Sequence, residues 1–216
     1  MSARSTVSVV IVMLALGLGA CGDDNGGPST AELKSQLLPA SDVKGFKVER
    51  SFEWDNPTDL VVQGLLLPAE TVPSDAVSEI DDAGFDAAAG EDFVVSKGSP
   101  FDGPQMKNYV IATGSNGDAK KLRDYLHSQD LKQPCFQVCS VNPSAIAVPG
   151  IPDAKGAQLL PQKEPPPNAP PPFEGYAVEF PIGDQLYFVG GGGGPGQIKK
   201  QQVLDAAKAL YSRNSS

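Results

Sequence analysis

Residues 176–213 read YAVEFPIGDQLYFVGGGGGPGQIKKQQVLDAAKALYSR, and their pattern decides the fold. Tyr176 to Phe180 and Gln185 to Val189 are short aromatic and aliphatic runs on either side of Pro181-Ile-Gly-Asp184, which predicts a β-hairpin. Gly190 to Gly194 then reads as a mobile loop, because consecutive glycines lose the most backbone entropy on ordering. Beyond Pro195-Gly196, Val203, Leu204, Ala207, Leu210 and Tyr211 recur at helical spacing and predict a helix from Gln197 to Arg213. A similar unit lies upstream. Lys107 to Thr113 reads as a strand, Gly114 to Gly117 as a turn, and Asp118 to Gln129 as a helix with the stripe Ala119, Leu122, Tyr125 and Leu126. Tyr109 and Tyr187 hold matching places in the two units, which leaves open an internal duplication into two similar βα halves.

Working towards the N-terminus, Phe46, Val48, Phe52 and Trp54 share one parity, as in a half-buried strand. Asp59 to Leu67 is a second apolar run, stopped by Pro68, and pairs with the first as a hairpin across Asp55 to Thr58. Ser29-x-x-Glu32 has capping-box spacing ahead of Leu33 and Leu37. Pro73-Ser74 opens a short helix through Ala76, Val77 and Ile80 that Gly84 closes, and Asp92 to Ser96 reads as a further strand. Pro165-Pro-Pro-Asn-Ala-Pro-Pro-Pro172 makes 161–175 an extended surface loop. The expected class is therefore α+β: an antiparallel or mixed sheet of about six strands with the two longer helices packed on one face.

The 216 residues are 40% apolar and 20% charged, enough for one domain with a substantial core. Twenty-three glycines and 20 prolines promise abundant turns. A net charge of −9 argues against an electrostatic grip on nucleic acid or on an anionic bilayer.

The N-terminus has a different character. Met1 to Thr6 is polar with one base, Arg4; Val7 to Gly19 is a 13-residue run without charge; Leu18-Gly19-Ala20-Cys21 follows. This is a secretory signal, too short for a spanning helix of about 20 apolar residues. Here the chain resembles bacterial lipoproteins, whose lipobox places an aliphatic residue three before a cysteine with small residues between. The resemblance implies cleavage before Cys21, diacylglycerol on its sulfur and acylation of the new amine. Residues 1–20 are then signal peptide, 21–28 a flexible tether and 29–216 a single extracytoplasmic domain. Two or more acyl chains make membrane release slow. The polar stretch Gly22 to Thr30 has a reach of roughly 15–18 Å, which keeps the domain close to the membrane surface.

With Cys21 lipidated, Cys135 and Cys139 remain as an even pair, and an oxidising envelope favours a disulfide between them. A redox pair or a thiolate metal site are the alternatives. The first usually has two intervening residues where Cys-Phe-Gln-Val-Cys has three, and the second wants more ligands than these thiolates and His127 supply.

Catalytic patterns are missing. His127 is the only histidine and reads as a solvated helical residue, and the chain contains no Gly-x-Ser-x-Gly, His-Glu-x-x-His or Walker loop. The adjacent acids Asp23-Asp24, Asp81-Asp82 and Glu91-Asp92 read as solvated turn charges. Gly190 to Gly194 lacks the spaced glycines of a phosphate-cradling turn. Val148-Pro-Gly-Ile-Pro-Asp-Ala154, with the hairpin and the helix ending Ala-Leu-Tyr-Ser-Arg213, is similar to uncharacterised extracytoplasmic lipoproteins of actinobacteria, which implies a setting but no active site. The expected role is a membrane-anchored, noncatalytic binding or interaction domain without cofactor or metal, its partner an envelope protein or lipid. A lipid or lipoglycan carrier with an apolar cavity is the alternative, and an envelope hydrolase with two facing carboxylates is third.

Overall fold

The computed structural model describes residues 27–64, 75–95, 103–132, 141–163 and 172–215. Cys21, Cys135 and Cys139 lie outside these residues. The elements run α1 (Thr30–Ser35), β1 (Phe46–Trp54), α2 (Pro57–Asp59), α3 (Ala76–Asp82), β2 (Ala88–Val95), β3 (Gln105–Ala112), α4 (Asn116–Lys132), β4 (Val141–Ile146), β5 (Lys155–Pro161), β6 (Glu174–Ile182), β7 (Gln185–Gly193) and α5 (Lys200–Asn214). The strands form one antiparallel sheet in the order β1-β2-β3-β7-β6-β5-β4. Among the described residues no helix is long and apolar enough to cross a membrane.

The α+β class and the predicted hairpin hold, while three local expectations give way. Asp59 to Gly64 is not a strand. The Asn56 side chain accepts a hydrogen bond from the Asp59 amide at 2.8 Å, and Pro57 sits in the first helical turn, so capping chemistry starts a helical turn that continues as a π turn from Leu60 to Gly64. β1 therefore pairs with β2. β4 and β5 are additional strands, their short sequences lacking clear alternation, and they bring the sheet to seven. Pro143 is accommodated because β4 is an edge.

The glycine run is also a strand, continuing β7 as far as Gly193. A Cβ on Gly191 would stand 2.5 Å from Ile198 Cδ1, and one on Gly192 2.2 Å from the Phe173 ring. Backbone pairing on both sides orders these residues, and the absence of side chains lets α5 and Phe173 sit against the sheet.

The two long helices lie on opposite faces rather than one. Val178, Phe180, Tyr187 and Val189 point towards α1 and α5, in a core with Leu33, Leu37, Val203, Ala207 and Leu210. Tyr109, Ile111 and Leu186 point towards α3 and α4, with Trp54, Ile80, Ala119, Leu122 and Leu126. β3 and β7 are antiparallel neighbours, so a twofold exchanging them would stand perpendicular to the sheet and put both helices on the same face. The two βα units are not rotational copies.

β1 shows how register assigns faces. Its pairing with β2 slips by one residue between Val48 and Arg50. Phe46 accordingly packs with the α5 side, while Phe52 and Trp54, of the same parity, pack with the α4 side.

Candidate functional site

An open cleft of about 360 Å³ lies at the end of the sheet where β6 turns into β7. Its walls come from four segments distant in sequence: Asn116 and Lys120 at the start of α4, Pro152 and Asp153 before β5, Pro181 and Ile182 at the hairpin, and Tyr211, Asn214 and Ser215 at the end of α5.

Local interactions hold these side chains in place. Asn116 Nδ2 donates to the Gly183 carbonyl at 2.6 Å. Asn214 Nδ2 donates to the carbonyls of Gln36 and Leu210, each at 2.9 Å. Each amide is tied through its nitrogen, which leaves its oxygen as an acceptor of fixed orientation. Tyr211 packs against Phe180 with the rings 5.9 Å apart at 77°.

Asp153 is the one non-glycine residue with positive φ (56°) among the described residues. Aspartate tolerates this conformation better than most residues, and such positions concentrate where function constrains the chain. Its carbonyl accepts from the buried Arg123 guanidinium, and its carboxylate pairs with Lys120 Nζ at 2.9 Å. That hydrogen bond holds the carboxyl below the usual range. The cleft thus carries both signs of charge in one neutralised pair.

Buried charge lies elsewhere, on the α4 face. Asp92, in the middle of β2, is 3% exposed and receives Arg50 Nη2 at 2.6 Å and Lys107 Nζ at 3.4 Å. Lys107 is buried as well, which lowers its pKa. Tyr109 lies between Trp54 (5.7 Å, edge-on) and Phe188 (5.5 Å, stacked), its hydroxyl buried without a hydrogen bond.

Under α4, His127 Nδ1 stands 3.7 Å from Glu179 Oε2. Burial, and then Asp130, pushes the Glu179 carboxyl well above its ordinary pKa. Burial alone raises Asp130 to about 7. His127 is shifted down by burial, then by Lys155. His127 Nδ1, Asp130 Oδ2 and Glu179 Oε2 are all buried and unbonded.

These positions correct two readings of the sequence. The His127 side chain is 12% exposed rather than solvated, and Asp92 is a strand residue rather than half of a turn pair. Sequence reasoning also passed over Glu179, whose signal was a lone carboxylate within the apolar strand Tyr176-Ala-Val-Glu-Phe. Asp81 and Asp82 are exposed at the end of α3, as expected. Asp130 acts on Glu179 from a distant segment by raising its carboxyl, and Glu179 is 2% exposed beneath α4. Among the described residues no three His, Cys, Asp or Glu side chains are arranged to hold a metal ion.

No protein-family model matches the chain, and no curated protein sequence matches it. Among solved structures it is similar to the extracellular domain of PknH from Mycobacterium tuberculosis, at TM-score 0.54 and 16% identity, over 88% of this chain and 98% of that one. A putative uncharacterized protein from Mycobacterium smegmatis aligns at TM-score 0.41 and 14% identity, over 87% and 95% of the two chains. At such identity the PknH likeness is one of fold.

Proposed function

We propose that this protein is a lipid-anchored, noncatalytic recognition domain on the extracytoplasmic face of the cell membrane, engaging an envelope component through the cleft between α4 and α5. The observation that carries the reading is the likeness over 98% of an extracellular domain, which indicates that this architecture serves as a complete module outside a membrane. The signal segment ending at Cys21 supports the same address. The cleft adds a surface of donors and acceptors drawn from Asn116, Lys120, Asp153 and Asn214. Anchorage comes from acyl chains on Cys21, and Cys135 and Cys139 close a local disulfide.

Protease treatment of intact cells tests the address, with radiolabelled palmitate reporting the anchor. The wild type is expected to be cleaved from outside and to carry label, and Cys21→Ser to carry none. Protection from external protease, or label that persists in the variant, overturns the reading. Thiol titration of the unfolded, unreduced protein is expected to find no free thiol at Cys135 or Cys139. Stoichiometric lipid extracted from the purified protein would favour the carrier instead.

A further inference from the structure

We infer that the cleft between α4 and α5 is a saccharide site, taking one or two sugar rings of an uncharged glycan. This rests on the reading of the domain as a recognition module and names the ligand class.

Charge narrows the ligand class. Among the described residues Lys120 is the one cation lining the cleft, and Asp153 neutralises it at 2.9 Å. A phosphate or carboxylate ligand would have to compete with Asp153 for that ammonium, and the protein's net charge of −9 opposes its approach. An acyl chain is a poor fit for a different reason. It would strip water from Asn116, Lys120, Asp153 and Asn214 without returning a hydrogen bond, a cost incurred at each polar group.

A polyol does return those bonds. Every hydroxyl both donates and accepts. Asn116 and Asn214 offer oxygens held in place through their nitrogens, Asp153 accepts and Lys120 donates. This mixture suits a ring bearing several hydroxyls better than a ligand of one polarity. Sugar rings also have apolar C–H faces, and Tyr211, fixed against Phe180, supplies an aromatic body with a polar tip at the same wall. A volume near 360 Å³ is at the small end of ligand sites and suits one or two rings. The left-handed backbone at Asp153 is consistent with this use: glycine would take that conformation more readily, but only the aspartate side chain can place a carboxylate beside Lys120.

The test is saturation-transfer difference NMR on the full chain purified in a sugar-free detergent, with trehalose, maltose, cellobiose and an arabinose disaccharide as probes. At least one probe is expected to show ring-proton transfer with millimolar affinity, since an open cleft with few contacts binds weakly. Asp153→Asn, which keeps the residue's size and its tolerance of positive φ, is expected to weaken binding about tenfold. Tyr211→Leu is expected to abolish transfer, with the amide spectrum reporting that the variant is folded. Silence across the panel, or transfer unchanged in both variants, overturns the inference. So does phosphate line broadening that Asp153→Asn strengthens and Lys120→Gln abolishes, which would make this an anion site. If a defined envelope protein binds and Tyr211→Leu removes it while the sugars stay silent, the saccharide assignment fails and the recognition reading stands. Loss of external exposure would remove both.

Discussion

The two faces of the sheet are built on different physics. The face under α1 and α5 is an apolar core around the buried Asn108, whose Oδ1 accepts from the Leu38 amide, with Phe180 stacked on Tyr187 at 5.5 Å and α5 burying Val203, Leu204, Ala206, Ala207 and Leu210. The face under α3 and α4 places Asp92, Lys107, Tyr109 and Glu179 among its apolar residues. Burial on the first is rewarded directly by the hydrophobic effect. On the second, each charge must be paired, protonated or solvated. The first face therefore supplies most of the stability, and the second is where pH and single charge changes are felt.

The largest effect is expected at Phe180. Phe180→Ala is expected to cost about 3–5 kcal/mol in urea denaturation, because the side chain is fully buried between Tyr187 and Tyr211. A loss below about 1 kcal/mol would mean that the α5 face is not the main support.

On the opposite face, Asp92→Ala leaves Lys107 buried without its anion and is expected to cost about 3 kcal/mol. Adding Lys107→Met should recover much of that loss. Strictly additive losses in the double variant would show that the two side chains do not act as a pair.

A pH experiment sharpens the contrast. Asp130 has a pKa of about 7 when folded against an ordinary 3.8, so between these values the folded state keeps a proton that the unfolded chain has released. Stability from this group falls as pH rises through that window. Asp130→Asn should match the wild type in unfolding free energy from urea denaturation at pH 4 and exceed it at pH 8 by about 2 kcal/mol, a figure reduced for the group's partial contact with water. Glu179→Gln should shift in the same direction, since its carboxyl is also raised. An equal effect at both pH values would show that neither carboxyl is protonated in the fold.

The smallest effect is expected at the surface. Lys34 Nζ and Glu53 Oε1 are 3.2 Å apart, but their side chains are 42% and 45% exposed. Lys34→Gln should leave the thermal midpoint unchanged within error.

Much of the framework was legible from local chemistry. The capping box Ser29/Glu32, the Gly84 terminus, the β6–β7 hairpin and the stripes of α4 and α5 are fixed within a few residues of chain, and each forms as expected. What was misread depends on neighbours that are remote in sequence. Gly190 to Gly193 look flexible alone and become a strand because β3 and β6 supply pairing on either side. Phe46 and Trp54 have the same parity, yet the slip near Glu49 sends them to opposite faces.

The candidate site was scarcely legible, because its four segments meet only after the sheet has formed. By itself the sequence determined the α+β class, the hairpin and the helix stripes. Short-range periodicity and capping carry that information in the chain itself. Tertiary structure decided the seventh strand, the sides taken by α4 and α5, the burial of Asp92, His127 and Glu179, and the cleft around Asp153. Alternation along a strand tells which residues share a face, but not whether that face will be covered. Here both faces are, so positions that read as solvent-facing became interior ones.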